Sequence, residues 1–490
     1  MRKIKKGHES AGSVAGHWET QGQKALAATK SKSPRLDPRC FRVASSGLRD
    51  PAAIPHRYTL RVEANGALLY DRAAHQYFQL NAAEAFLLSA SQELPLTKAV
   101  EQLVEAVGAE EAHEARDGLL ERGELGDDGA FLGRVLRMPD VRGAYGAPLV
   151  AHLGLTLACN YACAHCYSSS GKRAPNELSL EDIQGLIDRL AEAGCMKLVL
   201  GGGEPFLRDD LAAVIRYADS QGVDCFVHTN GSVLTKERLE ELAACPPAGL
   251  AVSMDGPDAE TNDEIRGAHA FERTLKGLQS LQQHYPPGFN ISVTITPKNV
   301  KLAPRMVELA HQAGAKVLLL RPAYPAGEAA KGAELMCSRD DFARAIDLAR
   351  VTAKKLKVKV DAPHPHEQGV PDFEGFGCVA ARIVMGIDPQ GKVTPCLNLP
   401  SSFSAGDARK DSIEKLWRAG KGFVAVRGQT PNSQCQSCKH YQTCRGGCRV
   451  RSLFAGNGLN GPDSWCHYEP KEEVKPKRGR RQPARKESRT

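Results

Sequence analysis

Leu155 to Gly171 reads LTLACNYACAHCYSSSG, with Cys159, Cys163 and Cys166 spaced C-x3-C-x2-C. Three thiolates can hold three irons of a [4Fe–4S] cube and leave the fourth iron for an external ligand, whereas an electron-transfer cluster normally takes four cysteines. An open iron implies chemistry at the cluster. Seven more cysteines (Cys378, Cys396, Cys435, Cys438, Cys444, Cys448, Cys466) make a second group, so ten of the fifteen fall into spacings that suit iron and sulfur. Cys40, Cys195, Cys225, Cys245 and Cys337 lack motif neighbours and read as small buried hydrophobes. Two rival readings of the triad are a zinc site completed by His165 and a buried helix face carrying cysteines at i, i+4 and i+7.

The triad runs directly off a strand. From 148 to about 362, short β-rich runs (LGLTL, KLVLGG, CFVHTNG, GLAVSMDG, ISVTIT, KVLLLRP) alternate with helical segments, which means βα units on a parallel sheet. Six units are too few for a closed eight-fold barrel, so an α/β fold with a partial (β/α)6 barrel is expected, with ligands at the C-terminal ends of its strands. Those ends carry Gly202-Gly203-Glu204-Pro205 on the second strand, Thr229 on the third, Ser253 and Asp255 on the fourth and Arg321 on the sixth. Glycines let a backbone approach a ligand closely. Each polar residue can equally cap a strand end or form a surface ion pair.

Upstream, residues 56–130 read as strands followed by three helices, with Asn65-Gly66 as a hairpin turn and Asn81 and Glu84 as a capping box. Residues 131–147 lack periodicity, contain Pro and Gly, and read as a linker. From 363 to 470 Gly, Pro and Cys dominate, and a fold held by metal more than by a large core is expected.

The net charge of +8 is misleading without its placement. Residues 1–36 and 471–490 each carry +6, which leaves −4 for the rest; the basic stretches, 1–55 and 471–490, read as disordered tails and not as nucleic-acid arms. The N-terminus lacks an apolar signal region and no uninterrupted apolar run of about 18 residues occurs, so neither secretion nor membrane insertion is expected. A cytoplasmic, reducing compartment follows, where thiols stay available as ligands.

With C-x3-C-x2-C on the first strand's loop and GGEP at the next strand end, residues 150–360 resemble the radical S-adenosylmethionine (SAM) superfamily. The resemblance implies that Cys159, Cys163 and Cys166 hold the SAM-binding cluster and that Gly202, Gly203, Glu204 and Pro205 contact the methionine amino group. It further implies that Thr229, Ser253 and Asp255 lie at the SAM site, that His165 packs near adenine, and that Arg321 pairs with the SAM carboxylate. The seven-cysteine order from Cys378 resembles the SPASM extension of radical SAM enzymes that modify peptides and proteins. That implies two auxiliary [4Fe–4S] clusters, a nearer one on Cys378, Cys396 and Cys448 and a farther one on Cys435, Cys438, Cys444 and Cys466. Seven ligands leave the nearer cluster one short, and His364, His366, Asp372, Glu374 or substrate are candidates for the gap. An odd seventh thiolate argues against two closed zinc sites.

The 56–130 unit resembles the winged-helix-like chaperones of pyrroloquinoline quinone biosynthesis, the precursor-recognition element of ribosomal peptide pathways, through GALLYD, YFQLN and ERGEL. A winged helix can instead bind DNA, and the unit can also merely pack on the barrel. Residues 110–128 hold eight acids and two arginines, the wrong sign for phosphate but suited to a basic or amphipathic leader peptide.

Together these resemblances imply a maturase that reductively cleaves SAM to a 5′-deoxyadenosyl radical and oxidatively modifies, by cross-linking side chains, a ribosomally made precursor peptide. The electron donor would be a flavodoxin or ferredoxin. Maturation of a folded protein or a tetrapyrrole by the same core, and a non-enzymatic iron–sulfur regulator, are the alternatives.

Overall fold

The computed structural model describes residues 54–466 apart from 55, 65, 127, 363–377, 429–431 and 439–440. The two basic tails, save residue 54, lie outside the described residues, as do His364, His366, Asp372 and Glu374.

The first unit pairs β1 (Tyr58–Glu63) with β2 (Gly66–Asp71) as an antiparallel hairpin and adds β3 (Gln76–Leu80) beside β2. Helix Ala82–Ala90 starts at a reciprocal cap, with Glu84 N–H donating to Asn81 Oδ1 at 2.8 Å and Asn81 N–H to Glu84 Oε2 at 3.0 Å. Helices Leu96–Val107 and Ala109–Glu121 follow, and Leu60, Leu69, Leu87, Leu88, Leu103 and Leu119 fill the core between helices and sheet.

Residues 131–147 are not a mere linker. β4 (Arg134–Arg137) lies parallel to β1 and makes the sheet order β3-β2-β1-β4. Four residues are too few to show a period, and only a partner some seventy positions upstream stabilises them as a strand.

Next come the parallel strands β5 (Val150–Thr156), β6 (Lys197–Gly202), β7 (Asp224–Thr229), β8 (Gly249–Ser253), β9 (Asn290–Ile295) and β10 (Val317–Pro322). The six expected strands are present, and the sheet extends beyond them. β11 (Lys359–Asp361) adds in parallel to β10, and β12 (Val384–Ile387) adds in parallel to β5; β13 (Lys392–Thr394) and β14 (Gly406–Asp407) continue antiparallel. The cysteine-rich region thus joins the barrel sheet directly. Leu153, Leu155, Leu198, Leu200, Val227, Leu250, Val252, Ile291, Val293, Leu318 and Leu320 face the surrounding helices, so the alternate positions line the lumen.

The first unit packs against the N-terminal ends of β5, β6, β7 and β12. Tyr70 and Tyr77 pack with Leu149, Met196 and Ile383, while Lys197 Nζ lies 4.8 and 4.6 Å from the centres of the two tyrosine rings and 5.4 Å from that of Phe226. Asp224 accepts from Tyr70 Oη at 2.5 Å and Arg72 Nε at 2.9 Å, and its other contact is His75 Nδ1 at 2.6 Å. Arg61, fully buried, donates to the carbonyls of Ala147, Pro148 and Gly194. Among the described residues no helix is long and apolar enough to cross a membrane.

Candidate cofactor and iron–sulfur sites

The triad loop leaves β5 at the upper mouth and is gripped by the end of β6. Gly203 N–H donates to Thr156 O at 2.7 Å and Glu204 N–H to Ala158 O at 2.8 Å. A Cβ on Gly203 would stand 2.1 Å from Ala158 O, and Gly202 has φ +107°. These two glycines are therefore required by the approach of the cysteine loop itself. Glu204, fully buried, accepts from Thr229 Oγ1 at 2.7 Å, Asn230 N at 2.6 Å and Phe206 N at 3.0 Å, tying β6 to β7. Burial raises its carboxyl above the ordinary value, against those hydrogen bonds. Pro205 opens a single 3-10 turn.

Each triad sulfur faces a donor. Cys166 Sγ accepts from Ser170 N at 3.4 Å and sits 3.5 Å from Ser168 Oγ; Asn230 Nδ2 is 3.9 Å from Cys159 Sγ; Arg266 Nη1 is 4.0 Å from Cys163 Sγ. Burial pushes the Cys163 thiol up to about 11 although Arg266 pulls the other way, so without metal the group is a thiol, and Arg266 is the cation that would face its thiolate once iron displaced the proton. Gly327 crosses above, where a Cβ would meet the carbonyls of Cys166 and Tyr167 at 2.4 Å. The donor set therefore fits a cube.

Asp255, just past β8 and wholly buried, has both carboxylate oxygens engaged. Oδ1 accepts from Thr294 N at 2.7 Å, and Oδ2 lies 2.5 Å from His165 Nε2 and 2.7 Å from Arg266 Nε. Burial pushes its carboxyl up, but Arg266, then His165, bring it down to about 2. His165 is thus fastened to Asp255, with one ring nitrogen unavailable to zinc, and Asp255 anchors the loop where a ribose contact was expected. Arg321 is held by Asp361, Nη2 to Oδ1 at 2.8 Å, with its side chain 41% exposed. Ser253 stays half-exposed at the end of β8. Sequence reasoning missed Arg266, the buried cation beside Cys163, because an arginine closing a short helix carries no local signal.

In the C-terminal region the two expected cysteine sets stand apart. Cys378, Cys396 and Cys448 pack against the barrel core and act electrostatically on one another. Cys435, Cys438, Cys444 and Cys466 form the other set. Asp463 bridges them: its Oδ2 accepts from Cys448 N at 2.8 Å, its backbone carbonyl accepts from Cys466 N at 2.8 Å, and its carboxylate pairs with Arg451 at 2.6 Å. Cys337 is buried with its thiol on Ile295 O at 3.6 Å.

A barrel of this kind, with a three-cysteine loop gripped by a Gly-Gly-Glu-Pro step and a cysteine-rich extension joined to its sheet, defines a radical SAM enzyme with auxiliary iron–sulfur clusters. Residues 153–318 match the radical SAM superfamily and residues 378–439 match SPASM, an iron–sulfur cluster-binding domain, and the chain belongs to this SPASM-bearing family. Mycofactocin maturase MftC of Mycobacterium tuberculosis is 35% identical over 332 residues, 66% of this chain and 85% of that protein. An AdoMet-dependent heme synthase of Methanosarcina barkeri is 30% identical over 346 residues, 66% of this chain and 97% of its own length. Streptococcus suis SuiB bound to S-adenosylmethionine shares the fold with a TM-score of 0.64 at 17% identity, covering 85% of this chain and 100% of that one.

Proposed function

We propose that the enzyme oxidatively modifies, by cross-linking side chains, a ribosomally made precursor peptide. The similarity to mycofactocin maturase at 35% identity over 85% of that protein carries this reading. SuiB, in a structure described as bound to its precursor peptide SuiA, adds support, since its fold covers 85% of this chain.

In this reading Cys159, Cys163 and Cys166 hold the SAM-binding cluster. Cys378, Cys396 and Cys448 hold the nearer auxiliary cluster, and Cys435, Cys438, Cys444 and Cys466 the farther one. Gly202, Gly203, Glu204, Pro205, Thr229, Ser253 and the ring of His165 frame the SAM pocket; Asp255 and Arg321 act through the pairs that occupy them. When bound, the cluster supplies an electron that cleaves SAM to a carbon-centred radical, with a flavodoxin or ferredoxin as donor. The chain's own residues orient the cysteine loop, place donors on its sulfurs and keep water from the lumen. The 56–130 unit takes the leader peptide: acidic Glu110, Glu111, Glu114 and Asp117 are exposed on helix Ala109–Glu121, suited to basic side chains.

Heme synthase relatives favour a second reading, in which the substrate is a tetrapyrrole. Anaerobically reconstituted enzyme, SAM and a reductant incubated with the peptide encoded beside the gene should give a peptide lighter by about two hydrogens. An unchanged peptide together with turnover of an iron porphyrin would favour the second reading.

A further inference from the structure

Two imidazoles in the lumen have no role in the site described so far. His152 on β5 stands between Ala151 and Leu153, and His228 on β7 follows Val227, all three part of the outward-facing core, so alternation turns both rings inward. Both keep partial accessibility, as side chains lining a void do, and among the described residues neither ring hydrogen-bonds to protein. Burial holds both neutral, down to about 4, with His228 adding to the effect on His152 and Arg321 to that on His228. His228 adjoins Thr229, whose hydroxyl holds Glu204, and is therefore level with the Gly-Gly-Glu-Pro step; His152 lies four residues below the end of β5. The other acid–base groups around them are committed. Glu204 and Asp255 are buried in hydrogen bonds, Asp361 is paired with Arg321, and Lys197 is buried with its Nζ on His75 O at 3.0 Å.

This inference rests on the oxidative reading above, whose balance demands a base. Joining a substrate carbon to a nucleophile, C–H + Nu–H → C–Nu, releases two electrons and two protons. One of each would leave together as the hydrogen atom taken by the deoxyadenosyl carbon, and an oxidised auxiliary [4Fe–4S] cluster, held by the C-terminal cysteines, would supply the acceptor for the second electron. The second proton, from Nu–H, needs an acceptor. We propose that His228, level with the Gly-Gly-Glu-Pro step, accepts this proton from the substrate nucleophile as the new bond forms. The ring is deprotonated and, among the described residues, its nitrogens are unbonded to protein, so it can accept; burial makes the charged ring costly, and that cost is offset by oxidation of the radical as the bond forms.

The experiment compares wild type, His228→Gln, His228→Asn and His152→Gln with precursor deuterated at the carbon attacked, and reads modified peptide formed per 5′-deoxyadenosine. Only folded enzyme produces deoxyadenosine, so the ratio is insensitive to partial misfolding. The expected result at His228 is deuterium still reaching deoxyadenosine while the ratio falls roughly 10²-fold. His152, across β6 and two residues lower in register, is the comparison imidazole and should leave the ratio near wild type. Iron content and thermal midpoint should stay at wild-type values, since neither ring is bonded to protein. A wild-type ratio in the His228 variants, or a lowered midpoint with lost iron, would overturn the proposal. No deuterium transfer by the wild type from any peptide would strike the peptide reading itself and remove the basis of this one.

Discussion

His165 Nε2 lies 2.5 Å from Asp255 Oδ2, so the residue before Cys166 is fastened to the end of the fourth barrel strand. The same carboxylate oxygen lies 2.7 Å from Arg266, whose guanidinium reaches Cys163. Strand end, cation and cysteine loop form one unit, and a change at Asp255 reaches the cluster without touching a sulfur.

Asp255→Asn should therefore behave as a structural lesion of the cluster site. The amide leaves the buried Arg266 charge without its counter-ion, a change that costs about 3–5 kcal/mol. Unfolding of the apo protein in urea should show that loss, and reconstituted protein should hold about four fewer irons per chain. Wild-type iron and stability would show that Arg266 finds another anion.

Gly203→Ala places a methyl against a carbonyl that cannot yield, with Ala158 O at 2.1 Å. The cysteine loop must move, so the first cube should be lost while the auxiliary cysteines keep theirs. About eight of roughly twelve irons should remain, and SAM cleavage should disappear. Gly201→Ala is the control, because its nearest neighbour, Tyr167 Oη, is 3.7 Å away.

The packing at the lower strand ends predicts that the N-terminal unit cannot be removed cleanly. Deleting 56–130 would strip Tyr70, Arg72 and His75 from Asp224 and bare Leu149, Met196 and Ile383, so the remaining barrel should aggregate or lose its cooperative transition. Charge reversal at Glu110, Glu111 and Glu114 leaves that interface intact. It should weaken binding of a basic leader, measured by fluorescence anisotropy, with only a small fall in thermal midpoint, since Glu110 and Glu111 lie in the first turn of their helix.

Lys197 gives the stability a pH slope. Burial pulls its ammonium down to about 7 against the opposing pull of Asp224, whereas an unfolded lysine titrates near ~10.4. Between those values the unfolded chain binds the extra proton, so stability rises with pH across that window. Urea unfolding of the reduced apo protein at pH 7, 8 and 9 should show the rise in wild type and a flatter profile in Lys197→Met. Parallel profiles would mean that the ammonium stays protonated in the folded chain.

By itself the sequence determined the cysteine order, the six alternating βα units, the Gly-Gly-Glu-Pro step and the capping box at Asn81, because each depends on local spacing or on the period of one segment. It also set the acidic face of helix Ala109–Glu121, since every third or fourth residue of a helix returns to one side. Only tertiary structure decided that 134–137 is a strand, that 359–361 and 384–387 extend the barrel sheet, and that the N-terminal unit packs on the lower ends of β5, β6, β7 and β12. These pairings join residues far apart in the chain, and segments of three or four residues carry no period of their own. The pairings of Asp255 and Arg321 likewise came only from tertiary structure. A strand-end acid or arginine can meet a ligand or a neighbour; here Arg266 and His165 stand within hydrogen-bonding distance of Asp255, whose buried charge must be paired, and Asp361 pairs with the partly exposed Arg321.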